Sequence, residues 1–242
     1  MVIEMNTIII PARLKSSRLR NKLLIEVNGK SIIQYTLENA LSSKLTSRVI
    51  VATEDMEIKR HVESLRLNID CLRTPIFNSG TERVKHIVRE ASPESKKIIN
   101  MQADEPCLRG STLDDMFNAV NRDTSIASAY SFIDNELDYD NEHVVKVTLN
   151  IFDMALYFSR RSIPYGGAPT FKNCYKHIGV YAFYRDTLLD LPNNSEYQKM
   201  ENLEQLAWLE NGYNIKLIRI NYPTVGIDVQ EHVNIFKTLA PS

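Results

Sequence analysis

A cluster of positive charge follows the first apolar run of the chain. The segment Pro11–Lys22 carries five Lys or Arg side chains in the ten positions from Arg13 to Lys22, and no acid. In an open α/β sheet, ligands bind beyond the carboxyl ends of the strands, so cations placed there suit phosphate groups. Neither the P-loop pattern nor the dinucleotide GxGxxG pattern is present. The segment predicts a phosphate site built from side-chain charge and backbone N–H groups, although a solvated basic surface has the same composition.

Acidic residues at two other places could complete such a site. Asp104 and Glu105 follow an apolar run and precede Pro106, and Asp228 ends the segment Gly226–Asp228. Mg²⁺ typically takes one or two carboxylates together with phosphate oxygens. Each acid also has an ordinary interpretation, because acids are common in turns and at helix N-caps. The cationic segment and the acids predict a metal and nucleotide site only in combination.

The elements that must position these residues alternate in the first half of the chain between apolar runs and amphipathic stretches. This pattern is typical of strand–helix–strand units around a parallel sheet. The predicted strands are 7–10, 48–53, 68–72 and 97–101. The predicted helices begin near Ser31 and after Thr81, cover the repeat from Ile58 to Leu65, and run from Leu113 to Val120.

The pattern changes after about residue 125. Strand-like segments follow one another without clear helices, which predicts antiparallel pairing in a mixed sheet; they are 125–132, 144–149, 155–159 and 177–183. Helices over 200–210 and 229–239, separated by a strand over 214–220, are predicted for the end of the chain. No Gly/Ser-rich or Pro-rich linker interrupts it, so one α/β domain over residues 1–242 is expected.

Composition excludes several classes of protein. The 242 residues contain 29 Lys and Arg against 30 Asp and Glu, so no overall positive field attracts nucleic acid or an anionic membrane. No apolar stretch reaches the roughly 18 residues of a membrane span, and the first residues lack a signal-peptide layout. The cysteines, Cys71, Cys107 and Cys174, are too far apart for a zinc pattern. We expect a cytoplasmic protein with idle thiols, no nucleic-acid partner and no membrane partner.

Several separated motifs, in order over roughly residues 7 to 237, resemble those of the 3-deoxy-manno-octulosonate (Kdo) cytidylyltransferases. The family's Ser-Gly-Thr-Glu-Arg is intact at Ser79–Arg83. The other matching motifs are Pro11-Ala12-Arg13, Ser16-Ser17-Arg18-Leu19 with Lys22, Gln102-Ala103-Asp104-Glu105-Pro106, Tyr157-Phe158-Ser159-Arg160, His177-Ile178-Gly179-Val180-Tyr181, Glu201-Asn202-Leu203-Glu204-Gln205-Leu206 and Gly226-Ile227-Asp228.

The resemblance implies an enzyme that joins CTP to a 2-keto-3-deoxy sugar acid and releases pyrophosphate, for lipopolysaccharide synthesis. It implies a nucleotide-diphospho-sugar transferase-like three-layer fold, with a mixed, mostly parallel sheet. The nucleotide-binding half would lie at about 1–125, and the sugar-binding and dimerisation portion at about 126–242. It also implies a requirement for Mg²⁺ and a homodimer formed through the antiparallel part.

Roles of individual residues follow from the same resemblance. The residues implied in catalysis are Arg13, Lys22, Asp104 and Asp228, with Asp104 and Asp228 as the metal ligands. The residues implied in nucleotide binding are Pro11, Ala12, Arg13, Arg18, Lys22, Ser79, Gly80, Thr81, Arg83 and Gln102. The residues implied in sugar binding are Arg160, His177, Tyr181, Glu204 and Gln205. The planar guanidinium of Arg160 suits the carboxylate of the substrate.

The chain departs from the family pattern at a few positions. Arg20-Asn21 replaces Pro-Gly before Lys22, which removes the residues that usually set the turn. Ala103 replaces a glycine beside Asp104, and Ala207 stands where the family commonly has Arg. Loss of a cation near the implied sugar residues favours the 8-amino-8-deoxy analogue of Kdo as the acceptor.

Other functions remain open at the level of the sequence. A cytidylyltransferase for another acid sugar, such as a sialic-acid-like sugar, would use the same chemistry. A non-catalytic nucleotide-binding relative would result if the altered opening loop no longer positions the triphosphate. A nucleic-acid-binding module is the weakest alternative, because only one loop is basic.

Overall fold

The computed structural model describes residues 5–16, 18–167, 171 and 173–241. The chain divides into two compact units. The first unit is formed by residues up to Phe117 together with those from Tyr222 onward, and the second by Asn118–Asn221. The chain enters the second unit close to the expected boundary at residue 125, but its last segment returns to the first unit. A single domain over 1–242 stays a prediction.

Parallel strands form the main sheet of the first unit. The strands of this unit are β1 (Met5–Ala12), β2 (Glu26–Val27), β3 (Lys30–Ser31), β4 (Arg48–Thr53), β5 (Asp70–Arg73) and β6 (Ser95–Met101). The order of the sheet is β6-β1-β4-β5, all parallel, while β2 and β3 form a separate antiparallel pair. Ile8, Ile9 and Ile10 are fully buried, as expected for a β-branched strand covered on both faces. The four predicted strands of this half are confirmed, with 48–53 matching at both ends.

The predicted helices of the first half are also confirmed. They are α1 (Ile32–Leu41), α2 (Met56–Ser64), α3 (Gly80–Glu90) and α4 (Gly110–Ala119). Serine side chains begin two of them: the Oγ of Ser31 accepts from the N–H of Gln34 at 3.3 Å, and that of Ser79 from Glu82 at 3.1 Å. A short 3-10 helix, Lys22–Leu24, follows the cationic segment.

The second unit contains the predicted antiparallel pairing. Its strands are β7 (Ile126–Phe132), β8 (Lys146–Leu149), β9 (Ala155–Ser159), β10 (Tyr175–Tyr184) and β11 (Ile215–Arg219). β10 pairs antiparallel with β7 and β8, β8 pairs antiparallel with β9, and β11 pairs parallel with β7. Two short helices, α5 (Glu136–Asp140) and α6 (Arg185–Asp190), were not predicted. Helices of five or six residues are too short to show a helical period in the sequence.

The prediction of one helix over 200–210 was wrong. The structure has α7 (Glu196–Glu201) and α8 (Gln205–Glu210) instead. Asn202 takes a left-handed conformation, with φ 52°, and the N–H of Leu203 bonds to the carbonyl of Gln198 at 3.3 Å. This arrangement ends a helix, and asparagine tolerates the left-handed conformation better than most residues.

The last helix, α9 (Gln230–Leu239), belongs to the first unit and confirms the helix predicted over 229–239. Its buried face packs on the start of α1, where the rings of Tyr35 and Phe236 meet edge to face at 5.0 Å between centroids. The buried cluster there is Val27, Ile32, Tyr35, Ile227, Val233 and Phe236. This packing fixes the segment that precedes α9, which contains Asp228.

Candidate active site

A pocket of about 290 Å³ lies at the carboxyl ends of β1 and β6 in the first unit. The predicted residues that line it are Pro11, Ala12, Arg13, Arg18, Lys22, Ser79, Gly80, Arg83, Gln102, Asp104 and Asp228. Thr81 is buried beneath it, where its hydroxyl accepts from the side-chain amide of Asn100 at 3.3 Å. The structure therefore brings the cationic segment and the two acids into one site, as their positions after the strands predict.

A lysine lies between the two acids of the pocket. The Nζ of Lys22 donates to Asp104 Oδ2 at 2.5 Å and to Asp228 Oδ1 at 2.8 Å. Burial alone would lower the pKa of Lys22, but the two carboxylates outweigh it, and the pKa is raised. Burial would raise the pKa of Asp228, but its bond and charge contact with Lys22, with Arg18 next, bring that pKa below its usual range. The pocket therefore already holds one positive charge between its two carboxylates.

A backbone contact brings the two acids together although they are far apart in the chain. The N–H of Ile227 donates to the carbonyl of Asp104 at 2.8 Å. A Cβ at Gly226 would lie 2.7 Å from a carboxylate oxygen of Glu105, so a larger residue at this position would displace the end of the Glu105 side chain. Asp228 is not the N-cap of α9, because Val229 occupies that position and the N–H of Asp228 donates to Nδ1 of His232 at 3.2 Å. Its carboxylate is thus directed to Lys22 and, at 2.9 Å, to Arg18.

The departures from the family pattern in this region are accommodated by the backbone. Asn21, which stands where the family has glycine, takes a left-handed conformation with φ 53° directly before Lys22. Asparagine is the residue that best replaces glycine at such a position. Ala103 is not among the residues with positive φ, so its methyl group introduces no backbone strain. Lys22 and Asp104 therefore meet despite both substitutions.

The N-terminus of α3 forms another wall of the pocket. A Cβ at Gly80 would lie 3.2 Å from Cγ of Pro11 and 3.4 Å from the side-chain nitrogen of Gln102, so glycine allows these residues to approach. Helix N-termini present free N–H groups and a partial positive charge, which favour anionic or polar acceptor groups. Arg83 is buried and forms an ion pair with Glu54, while its Nη1 donates to the carbonyl of Ala12 at 3.4 Å.

The candidate sugar-binding residues lie in the second unit, and several are enclosed. The Nε2 of His177 shares a hydrogen bond of 2.7 Å with Ser128, and its ring contacts those of Phe158 and Tyr181. Although part of the residue is accessible, burial of this ring lowers the pKa of His177 to about 3. Burial, and then the charge of Glu204, raise the pKa of Tyr181 well above its usual value. Gln205 is buried as well.

Arg160 is engaged by the backbone around it. Its guanidinium donates to the carbonyls of Glu201 at 2.8 Å, Glu142 at 3.1 Å and Asn202 at 3.3 Å. The carboxylate of Glu201 in turn accepts from the hydroxyl of Ser159 at 2.7 Å and the N–H of Arg160 at 2.8 Å. These contacts fix the end of β9, so any contact of Arg160 with a substrate carboxylate would use its other N–H groups.

Several residues that sequence reasoning gave no individual role also line the pocket: Lys15, Ser16, Phe77, Asn78, Leu23 and Ala103. Lys15 belongs to the predicted cationic segment, and Ser16 and Ala103 stand in the quoted motifs. Asn78 directly precedes Ser79, so its neighbourhood could have identified it. Lys146 carried no signal at all: it is fully buried, and its Nζ donates to the carbonyls of Asn141, Val144 and Arg160 at 2.6–2.8 Å.

Among the described residues, no helix combines the length and the apolar character that a membrane span needs. The same residues also contain no group of three or more His, Cys, Asp or Glu side chains placed to hold a metal ion.

Comparison with known proteins identifies close relatives over most of the chain. Residues 7–218 match the model of a protein family described as cytidylyltransferase. The 3-deoxy-manno-octulosonate cytidylyltransferase of Vesicomyosocius okutanii is 40% identical over 216 residues, covering 86% of this chain and 88% of the relative. The enzyme of the same name from Porphyromonas gingivalis is 36% identical over 237 residues, covering 92% and 91%.

Solved structures show the same relationship. A CMP:2-keto-3-deoxy-manno-octonic acid synthetase in complex with CTP matches with a TM-score of 0.88 and 31% identity, over 98% of both chains. A 4-diphosphocytidyl-2C-methyl-D-erythritol synthase from Anaerococcus prevotii has a TM-score of 0.65 at 14% identity, over 98% of this chain and 96% of that one. The second match shows a shared fold only. The predicted α/β fold, with its mixed and mostly parallel pairing, is confirmed.

Proposed function

The chain belongs to the cytidylyltransferase family, among the 3-deoxy-manno-octulosonate cytidylyltransferases, and on that premise we propose that it transfers CMP from CTP to Kdo. A hydroxyl of the sugar acid attacks the α-phosphorus of CTP, the bond to the β-phosphate oxygen breaks, pyrophosphate leaves, and the hydroxyl proton passes to solvent. The product would serve lipopolysaccharide synthesis. The observation that carries the proposal is the contact of Lys22 with both Asp104 and Asp228 inside a pocket lined by the cationic segment.

The charges of the pocket suit this reaction. Phosphoryl transfer depends mainly on positioning and on neutralising charge at the phosphate oxygens. Arg13 and Arg18 are exposed at the pocket and able to meet a triphosphate, and Lys22 lies deeper beside the acids. Pro11, Gly80 and Gln102 line another part of the pocket, which we assign to the base and the ribose. Arg160, His177, Tyr181, Glu204 and Gln205 are the residues proposed to serve the sugar acid, by contact or by shaping its site.

Magnesium fits the donors of the pocket. The position between Asp104 and Asp228 already accommodates a cationic group, and two carboxylates are the usual protein contribution to a magnesium–triphosphate site. Asp104 and Asp228 would hold the ion, which when bound neutralises charge on the phosphate oxygens and acidifies the attacking hydroxyl. Lys22 would then be released to contact the triphosphate.

A second candidate acceptor is the 8-amino analogue of Kdo. The observation in its favour is the combination of Ala207, where the family commonly has Arg, with the carboxylate of Glu204 close enough to Tyr181 to raise its pKa. An acidic site without that cation would favour an ammonium group over a hydroxyl. Ala207 itself is fully buried, so the effect would come from the charge balance and not from direct contact.

Pyrophosphate release tests the reaction and the acceptor together. CTP and Mg²⁺ are supplied with Kdo, with its 8-amino analogue or with a sialic-acid-like sugar at equal concentration, and Asp104→Ala serves as the inactive control. Asp114→Ala is the matched control, because Asp114 also accepts hydrogen bonds from a loop, at Lys44 and Leu45, but does not line the pocket. Release with Kdo supports the proposal. Binding of CTP without release, or release only with a sialic-acid-like sugar, would contradict it.

We also infer a cytoplasmic homodimer formed through the second unit. Three apolar side chains around the β8–β9 hairpin, Ile151, Phe152 and Leu156, are exposed by 91%, 66% and 58%. Exposed apolar patches of this kind are typical of interaction surfaces. Light scattering of the wild type and of Phe152→Lys tests the inference: a dimer converted to a monomer supports it, and a monomeric wild type contradicts it.

A further inference from the structure

Two acids follow the end of β4 and lie beside the loop that leaves β1. Glu54 and Asp55 follow Thr53 directly, and neither lines the pocket. β4 runs parallel to β1 with Ala12 opposite Thr53, so the two acids lie beside the first residues beyond β1. No role in binding or catalysis follows from the motifs for either residue, because acids are common between a strand and a helix.

Asp55 holds the N-cap position of α2 but does not cap the helix. Its side chain makes no cap hydrogen bond. Instead its Oδ2 accepts from the backbone N–H of Leu14 at 2.7 Å, across the sheet edge. The backbone N–H of Asp55 donates to Oγ1 of Thr53 at 3.0 Å, which fixes the start of the turn. A bond from a peptide N–H to a carboxylate is stronger than one between neutral groups.

Glu54 acts on the neighbouring peptide group through Arg83. Glu54 forms an ion pair with the buried guanidinium of Arg83, whose Nη1 donates to the carbonyl of Ala12 at 3.4 Å. The carbonyl of Ala12 and the N–H of Leu14 are therefore both held, one on each side of Arg13. Arg13 itself is exposed at the pocket.

We propose that Asp55 is a positioning residue for the nucleotide, which acts by fixing the backbone of Arg13, with Glu54 supporting it through Arg83. The inference rests on the proposed function, since it assigns these acids to the binding of CTP. A loop held in its binding conformation loses less entropy when the ligand arrives, so the anchor increases affinity without touching the nucleotide. Asp55 and Glu54 thereby position Arg13, which binds the triphosphate, although neither acid lines the pocket.

Kinetics of Asp55 variants test the role. We expect Asp55→Ala to raise the KM for CTP about tenfold, the size expected for loss of one charge-assisted hydrogen bond. We expect kcat and the KM for the sugar acid to change less than about twofold, because binding of only one substrate is weakened. Asp55→Asn keeps an oxygen that can accept from Leu14 and should recover most of the affinity. Asp114→Ala removes an equivalent loop contact elsewhere and should leave the KM for CTP unchanged.

A double-mutant cycle separates positioning from a general loss of stability. If Asp55 acts through Arg13, then Asp55→Ala costs little further affinity for CTP when Arg13 is already alanine. Equal penalties in both backgrounds would overturn the proposal. So would an unchanged KM in Asp55→Ala while the wild type binds CTP and releases pyrophosphate.

Amide hydrogen exchange of the ligand-free protein tests the anchor without CTP. Exchange at Leu14 should accelerate in Asp55→Ala and remain at the wild-type rate in Asp114→Ala, and unchanged exchange in Asp55→Ala would overturn the anchor. If the wild type fails to bind CTP, the proposed function fails. The exchange result then still decides whether Asp55 holds the loop.

Discussion

The pocket of the first unit and the candidate sugar-binding residues of the second unit differ in how their polar groups are used. In the pocket, Arg13 and Arg18 are exposed, and the Nζ of Lys22 bonds to the two acids that a metal ion would take over. In the second unit, His177 bonds to Ser128, and Arg160 donates to three backbone carbonyls.

This difference distinguishes residues whose charged groups are available to bind a ligand from residues whose polar groups already stabilise the fold. Exposed cations are solvated, so their removal costs little stability. Buried polar groups that already have partners are expensive to remove, because those partners lose their bonds. We therefore expect substitutions in the pocket to reduce activity at nearly constant stability, and substitutions in the second unit to reduce stability as well.

The largest effect is expected at Asp104. Asp104→Ala removes one of the two carboxylates that face Lys22, and activity should fall roughly 10²–10³-fold, as for other groups that stabilise transition-state charge. The melting temperature should change little, since Lys22 keeps its bond to Asp228. Pyrophosphate release and a thermal melt measure the two quantities, with Asp114→Ala as the control. If Asp104→Ala lost stability in proportion to activity, the expected difference between the pocket and the second unit would be contradicted.

Lys146 should give the largest loss of stability. Lys146→Met keeps the aliphatic length but removes the ammonium that donates to three carbonyls. We expect the free energy of unfolding to fall by about 3 kcal/mol, because buried acceptors are left without donors. Urea denaturation measures it. Wild-type stability in this variant would mean that the second unit does not depend on its buried polar contacts.

A smaller effect is expected from pH at His177. Burial lowers the pKa of His177 to about 3 in the folded chain, whereas a histidine in the unfolded chain has the usual pKa of about 6.5. Below pH 6.5 the unfolded state takes up a proton that the folded state does not, so stability falls as pH decreases toward 3, by at most about 1.4 kcal/mol per pH unit. Denaturation of the wild type and of His177→Asn between pH 8 and 5 measures how steeply the free energy of unfolding depends on pH. Parallel curves would show that His177 is not the group responsible.

The smallest effect is expected at Arg18. Its ion pair with Asp228 is exposed, by 46% on the arginine side, so Arg18→Ala should cost less than about 1 kcal/mol of stability. The KM for CTP should nevertheless rise several-fold, and this increase should shrink at high salt because exposed charges are screened. Titration of CTP at low and high ionic strength measures the increase in KM and its dependence on salt. Unaltered affinity at low salt would place Arg18 outside the triphosphate site.

Most of the first unit was predictable from the sequence because local and tertiary preferences agree there. The strand 48–53 is β-branched and buried, and Ser31 and Ser79 begin their helices as N-caps. The helix over 200–210 was not predictable, because its apolar period continues through Asn202 and only the left-handed backbone at that residue interrupts it.

The parts of the site that escaped prediction depend on contacts between distant residues. Asp55 holds the N-cap position of α2, and only the hydrogen bond from the N–H of Leu14 connects it with the loop that leaves β1. The partners of Arg160 are backbone carbonyls, which have no sequence signature. Asn21 was identified as a departure, but its left-handed conformation, which replaces that of a glycine, required the structure.

The bond between Ile227 and Asp104 has a consequence for the synthesis of the protein. β1 to β6 can form on the ribosome as they emerge, since chains fold from the N-terminus during translation. The pocket, however, lacks one of its acids until residue 228 has been added and the following helix has packed on α1. A partly made chain that stops short of α9 would therefore be unable to retain the nucleotide, and the ability to bind it would arise only after the second unit has been made.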